Sequence, residues 1–185
     1  RNSNNKFSMK ARVCIVGLGN FGSLNSRHSV GMLAVKQFAH ELGIEWRTRK
    51  ECSAEIAHNE KYILVQPRLF MNENGGAVRS CLKVFDLKPT SVLVIHDDLE
   101  RQFGRVSKKL KGSASGHNGV RSVIASIKTD SFERIRVGIS RPVNQSQVFK
   151  YVLENFNPDE RDILYNQVFE DVFKHIEKFQ QAKTM

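Results

Sequence analysis

The sequence predicts a single α/β domain, and three observations carry that prediction. Short runs rich in β-branched residues and Leu recur at residues 12–16, 51–57, 61–66, 91–95 and 134–140, the pattern of buried strands. Between them stand segments with apolar residues at helical spacing: Val35, Phe38, Ala39 and Leu42; Val78, Cys81, Leu82 and Phe85; Val120, Val123, Ile124 and Ile127. The two kinds of segment alternate along 185 residues, a length that supports one full core, with no internal repeat.

Composition narrows the function classes. Lys and Arg number 29 against 19 Asp and Glu, a net charge of +10. Such an excess favours a polyanionic partner, either nucleic acid or an acidic membrane surface. No apolar run approaches the roughly 20 residues that a membrane-spanning helix needs. Cys14, Cys52 and Cys81 lie in apolar or amphipathic runs without a C-x-x-C pair, so they read as reduced core residues rather than a disulfide frame or zinc site. Residues 1–10 are polar, basic and acid-free. They read as a tag remnant, a disordered tail or the end of a targeting peptide, with the folded domain at 11–185.

The first strand runs into Gly17-Leu18-Gly19-Asn20-Phe21-Gly22, formally a G-x-G-x-x-G pattern. A dinucleotide site needs a helix starting inside that loop, whereas here turn-like residues continue and helical periodicity begins only after Ser29. Glu41 falls on that first helix, not at the end of a second strand, so the dinucleotide reading is disfavoured. His28 sits in the loop just before the helix. The strands at 51–57 and 61–66 flank a turn, His58-Asn59-Glu60, with His58 exposed. Asn72 and Asn74 read either as caps of the next helix or as amides presented at a strand end.

The stretch from 93 to 122 holds most of the chemistry. Its strand ends in His96, Asp97 and Asp98. A basic segment without acids follows, carrying Arg105, Lys108, Lys109 and Lys111, and then small residues lead to His117 and Asn118 at a helix start. Arg134 and Arg136 share one face of the last strand. Residues 142–147 form a loop and 148–153 a short helix. Asn157-Pro158-Asp159-Glu160 is a strong helix start, and Tyr165, Val168, Phe169, Val172, Ile176 and Phe179 continue a long amphipathic helix.

A histidine with a carboxylate on its second ring nitrogen can activate water at neutral pH. Asp97 suits that role better than Asp98, because alternation along the strand turns the two side chains opposite ways. No G-x-S-x-G pattern supplies a covalent nucleophile. His96 and His117 flank the motif without a third ligand at zinc spacing, so no metal is expected.

The stretches at residues 16–20 (VGLGN), Arg27-His28 with Gly31, Phe70-Met71-Asn72 with Gly75, 95–99 (IHDDL), 116–119 (GHNG) and 132–142 (FERIRVGISRP) together resemble bacterial-type peptidyl-tRNA hydrolases, over about residues 12 to 180. The resemblance implies a three-layer α/β/α sandwich around a mixed, mainly parallel sheet, acting as an intracellular monomer, cytoplasmic or mitochondrial, without cofactor or metal. It implies hydrolysis of the ester between a peptide and the 3′-terminal ribose of tRNA. The partner is then peptidyl-tRNA, engaged at its acceptor stem and 3′ end, and no membrane. Matched residue by residue, His28 is the catalytic histidine and Asp97 the acid that orients it. Asn20, Asn72 and Asn118 hold substrate, with Met71 on the peptide side. Lys109 and Arg136 grip tRNA phosphates, with Arg105, Lys108 and Lys111 as outer contacts. The chain departs from the family in four places. Phe21 replaces a Pro, and two residues including a Tyr are missing between Gly22 and His28. Ser29 replaces an Asn, and Asn74 stands where a Ser is usual. The alternatives are a catalytically inactive, splicing-factor-like RNA-binding homologue and, more remotely, a nucleotide-dependent oxidoreductase.

Overall fold

The computed structural model describes residues 12–184, so the expected tail at 1–10 lies outside the described part. Seven strands, β1 (Val13–Gly17), β2 (Arg47–Arg49), β3 (Ala54–His58), β4 (Tyr62–Pro67), β5 (Val92–Asp98), β6 (Val106–Lys109) and β7 (Glu133–Gly138), form one sheet in the order β2-β3-β4-β1-β5-β7-β6. The inner strands β4, β1, β5 and β7 are parallel, while β3 and β6 run antiparallel to their inner neighbours. The helices are α1 (Val30–Glu41), α2 (Asn74–Val84), α3 (Asn118–Ile127), α4 (Val148–Leu153), α5 (Pro158–Ile163) and α6 (Phe169–Thr184).

Strand alternation divides the core into two layers. Ile15, Leu64, Leu93 and Ile135 face α1 and α6. Val16, Ile63, Val65 and Val94 face α2 and α3. The inner strands are covered on both sides, which is why they read as continuous apolar runs rather than alternating ones. The result is the three-layer sandwich, around a mixed, mainly parallel sheet. The chain leaves β1 towards β4 on one side, and α2 then carries it back to β5 on the other. The carboxyl ends of β1 and β5 therefore flank the crevice at the switch point, where ligands bind in such sheets.

Several local features differ from the sequence expectation. β2 is only Arg-Thr-Arg on an edge, with no apolar alternation to reveal it. The basic segment after Asp98 is not a bare loop, because its centre pairs with β7 as the edge strand β6. Asn74 is not a cap but the buried first residue of α2. The Asn157–Glu160 capping box forms as its sequence reads. The helical run that it starts widens to a π-helix at Leu164–Val168 before α6, a change that apolar spacing does not register. The three cysteines are free and buried.

Candidate active site

The glycine loop after β1 serves packing. Leu18 N–H donates to the Ile95 carbonyl at 3.0 Å. A Cβ at Gly31 would lie 2.1 Å from the same oxygen, and one at Gly17 would lie 2.2 Å from the Gly31 carbonyl oxygen. Only glycine lets α1 sit this close to β1 and β5. No helix starts within the loop, so it is not a phosphate cradle. A single 3-10 turn, Arg27–Ser29, precedes α1 and carries His28 to the end of β5.

The short loop before His28 is stitched to the corner between α4 and α5. Ser26 bridges Asn155, Arg27 N–H donates to Glu154 O at 3.0 Å, and Phe156 N–H donates to Asn25 O at 3.2 Å. The buried Arg27 guanidinium donates to both Glu160 carboxylate oxygens at 2.9 and 3.1 Å and to Asn155 O at 3.2 Å. It also lies 4.4 Å above the Tyr151 ring.

At the end of β5, Asp97 is buried and receives two imidazoles. His28 Nδ1 meets its two oxygens at 2.9 and 3.0 Å, and His117 Nε2 meets Oδ1 at 2.8 Å. His117 is also the N-cap of α3, where its Nδ1 accepts from Gly119 N–H and Val120 N–H at 3.1 and 3.2 Å. That assignment leaves the His117 proton on Nε2, donating to Asp97. His28 likewise donates through Nδ1, so the Nε2 lone pair of His28 is the one free for chemistry in the cleft. Burial opposes the charge on Asp97, yet the two imidazoles hold its carboxyl well below the usual carboxylate range. Burial alone would lower the pKa of His28, but the charge and hydrogen bond of Asp97 outweigh it and raise the imidazole above its ordinary value. Burial pushes the neighbouring His96 down to about 3, and it is fixed by a 2.7 Å hydrogen bond to the Asp97 carbonyl.

The sequence shows no third ligand at zinc spacing for His96 and His117, and in the fold a different set of side chains, without His96, comes together. His28, Asp97 and His117 place one ligand atom each within 4.8 Å of one another. Residues 20 to 89 positions apart in sequence conceal such a set. The ligand atoms are nevertheless committed to one another. With Nδ1 of His117 taken by backbone donors, Nε2 would have to lose its proton to bind an ion.

The amides frame the same cleft. Asn20 Oδ1 accepts from Met71 N–H at 2.8 Å, which turns its NH₂ group outward as a donor. Met71 is buried where a Cβ on Gly119 would strike its sulfur at 2.3 Å, so the glycine after His117-Asn118 admits that side chain. Asn72 and Asn118 are exposed on the cleft wall, and Asn118 Oδ1 accepts from Arg121 at 3.0 Å. Asn74 lies behind the wall. Its Oδ1 accepts from Gly19 N–H at 3.0 Å and its Nδ2 donates to Phe70 O at 2.8 Å, so it ties two site loops together. The cleft measures about 1210 Å³. That exceeds the roughly 300–1,000 Å³ of small-molecule pockets and suits the end of a polymer.

Lys109, Arg134 and Arg136 line the cleft from one face of β6 and β7. Lys109 donates to Ser113 O at 2.9 Å, and buried Arg134 donates to Ser113 O at 2.8 Å and to Gly112 O. Burial and the two guanidiniums pull Lys109 below its ordinary pKa, the mark of crowded cations. Asp98 turns away from His28, as alternation requires, and meets Arg101 at 3.2 Å and Arg136 at 3.8 Å. The three outer basic residues lie away from the cleft. Lys108 pairs with Ile135 in register, faces the α6 layer and reaches Glu133 at 3.6 Å. Arg105 and Lys111 are exposed but do not line the cleft. The sequence reading missed the roles of Arg27, His117 and Arg134. His117 carried one usable signal, a side chain able to cap the helix that starts beside it.

Among known proteins, a family model described as peptidyl-tRNA hydrolase matches residues 14–185. A peptidyl-tRNA hydrolase of Mycobacterium tuberculosis is 38% identical over 159 residues, covering 83% of each chain. A probable peptidyl-tRNA hydrolase of Mus musculus is also 38% identical over 159 residues, covering 83% of this chain and 78% of its own. The crystal structure of peptidyl-tRNA hydrolase from Acinetobacter baumannii, 26% identical, superposes with a TM-score of 0.78 and covers 95% of this chain and 96% of that one.

Proposed function

The chain belongs to the peptidyl-tRNA hydrolase family, and from that premise we propose that it hydrolyses the ester joining a peptide to the terminal ribose of tRNA, with His28 as general base. The observation that carries the assignment is the His28–Asp97–His117 relay opening into a cleft flanked by cations. Nε2 of His28 takes a proton from water as its oxygen attacks the ester carbonyl. Asp97 keeps the ring in the right tautomer and stabilises the imidazolium as it forms. Amide donors of Asn20, Asn72 and Asn118 offer hydrogen bonds to the developing oxyanion and to peptide carbonyls. As the intermediate collapses, the imidazolium returns its proton to the ribose oxygen. The products are a free tRNA hydroxyl and a peptide carboxylic acid, which loses its proton to solvent and leaves as the carboxylate.

Lys109 and Arg136 take the phosphates of the 3′ end, and Met71 lies on the peptide side. The substrate occurs wherever ribosomes work, which includes the cytosol and the mitochondrial matrix. The site is complete within one chain, consistent with action as a monomer. Among the described residues no helix is long and apolar enough to cross a membrane. No observation favours the non-catalytic RNA-binding alternative.

Single-turnover hydrolysis of N-acetyl-aminoacyl-tRNA by the purified protein tests the reading. We expect release of the acetylated amino acid and intact deacylated tRNA. Tight binding without release would favour the RNA-binding alternative instead. Turnover after exhaustive chelation, at matched ionic strength and with prefolded tRNA, should equal that of the untreated protein. A loss restored by a divalent ion acting on the protein would contradict the metal-free mechanism.

A further inference from the structure

The end of the cleft over β1 and β4 carries an aromatic rim that the hydrolytic relay does not use. Phe21, in the glycine loop, leaves 45% of its surface exposed, and Phe70 leaves 68%. Both line the cleft together with His28 and Asn72. Phe21 is held in place. Its N–H donates to Leu69 O at 3.1 Å, and the Arg68 guanidinium lies 4.7 Å over its ring. The charge of Arg68 is already committed to Glu55 at 2.6 Å, and Thr48 lies 3.1 Å away. Two exposed rings on the wall of a reactive cleft, one of them pinned, offer an apolar surface of the kind that marks ligand-binding grooves.

Sheet order separates this rim from the cations. The rim follows β1 and β4, while Lys109, Arg134 and Arg136 belong to β6 and β7, with Asp97 of β5 between them. Phosphates are drawn to the cationic end and the ester lies over β5. What reaches the rim is therefore the acyl part of the substrate. We infer that Phe21 is a specificity-determining residue that packs against an apolar, above all aromatic, side chain near the C-terminus of the peptidyl moiety. This inference rests on the hydrolase reading above.

The test uses one tRNA body acylated with N-acetylphenylalanine or with N-acetylglycine, and compares kcat/KM for the two. An aromatic contact predicts that the wild-type protein prefers the phenylalanine substrate by about 3- to 10-fold. Phe21→Ser should bring that ratio to about one, Phe21→Tyr should restore it, and the melting temperature should stay near that of wild type. Equal losses on both substrates would place the ring on the terminal nucleotide and overturn the inference. So would a wild-type protein without preference, or a Phe21→Ser protein that keeps it. A wild-type protein that cleaves neither substrate would instead bring down the hydrolase reading, and this inference with it.

Discussion

Asp97 serves two imidazoles with one carboxylate, and its substitution separates charge from shape. Asp97→Asn keeps a hydrogen-bonding group of the same size but removes the charge that raises the pKa of His28. Turnover should fall by roughly 10²–10⁴-fold, the usual worth of a properly supported base. The acid limb of the pH–rate profile should move to lower pH, because burial alone then acts on the imidazole. A limb that stays in place would show that Asp97 does not tune His28. In the wild-type protein, activity should fall as pH drops through the raised His28 pKa. Stability follows the same groups with opposite signs. The raised His28 contributes stability that is complete below its unfolded pKa and lost as pH climbs through the folded value. The lowered Asp97 contributes stability above its ordinary value of 3.8 that is lost as pH falls below it. His117→Asn separates its two roles. Asn still caps α3, so the melting temperature should change little, while loss of the bond to Asp97 should slow turnover about 10-fold or more. Unchanged turnover would reduce His117 to a cap. At this scale the sequence was only partly informative. His28 and Asp97 stand out at a turn and a strand end, but no local pattern shows that Asp97 is shared with a residue 20 positions on.

The elements matter through where they are joined. Gly31 sets α1 against β5, and Arg27 ties the His28 turn to the corner between α4 and α5. Arg27→Ala leaves the Glu160 carboxylate and two backbone carbonyls without their cation. It should destabilise the fold by roughly 1–3 kcal/mol, the cost of leaving half-buried acceptors without their charged donor. An unchanged urea midpoint would mean that the corner holds without it. The inner strands and the main helices were legible because burial on both faces, or on one helical stripe, writes itself into residue order. β2 was not, since three polar edge residues carry no period. β6 was read only as charge. Recognised as a strand, its alternation would have sent Lys108 and Lys109 to opposite faces of the sheet.

Across the whole molecule, the net charge of +10 is informative only once the fold has sorted it. Lys109 and Arg136 face the cleft, while Lys108 faces the α6 layer. Lys109→Ala with Arg136→Ala should weaken tRNA binding and lower the slope of log K against log salt by roughly 0.7–0.9 per lost phosphate contact. Lys108→Ala should leave that slope unchanged, and a slope that responds equally to Lys108 would contradict the assignment of faces. On the proposed assignment, recognition and chemistry occupy different parts of one cleft, and a single substitution divides them. The most direct measurement is His28→Ala assayed in parallel for acylated-tRNA binding and for single-turnover ester cleavage. We expect binding close to that of wild type and cleavage slower by roughly 10²–10⁴-fold. Near-normal cleavage would contradict His28 as the base, and a loss matched by a lower melting temperature would make the residue structural.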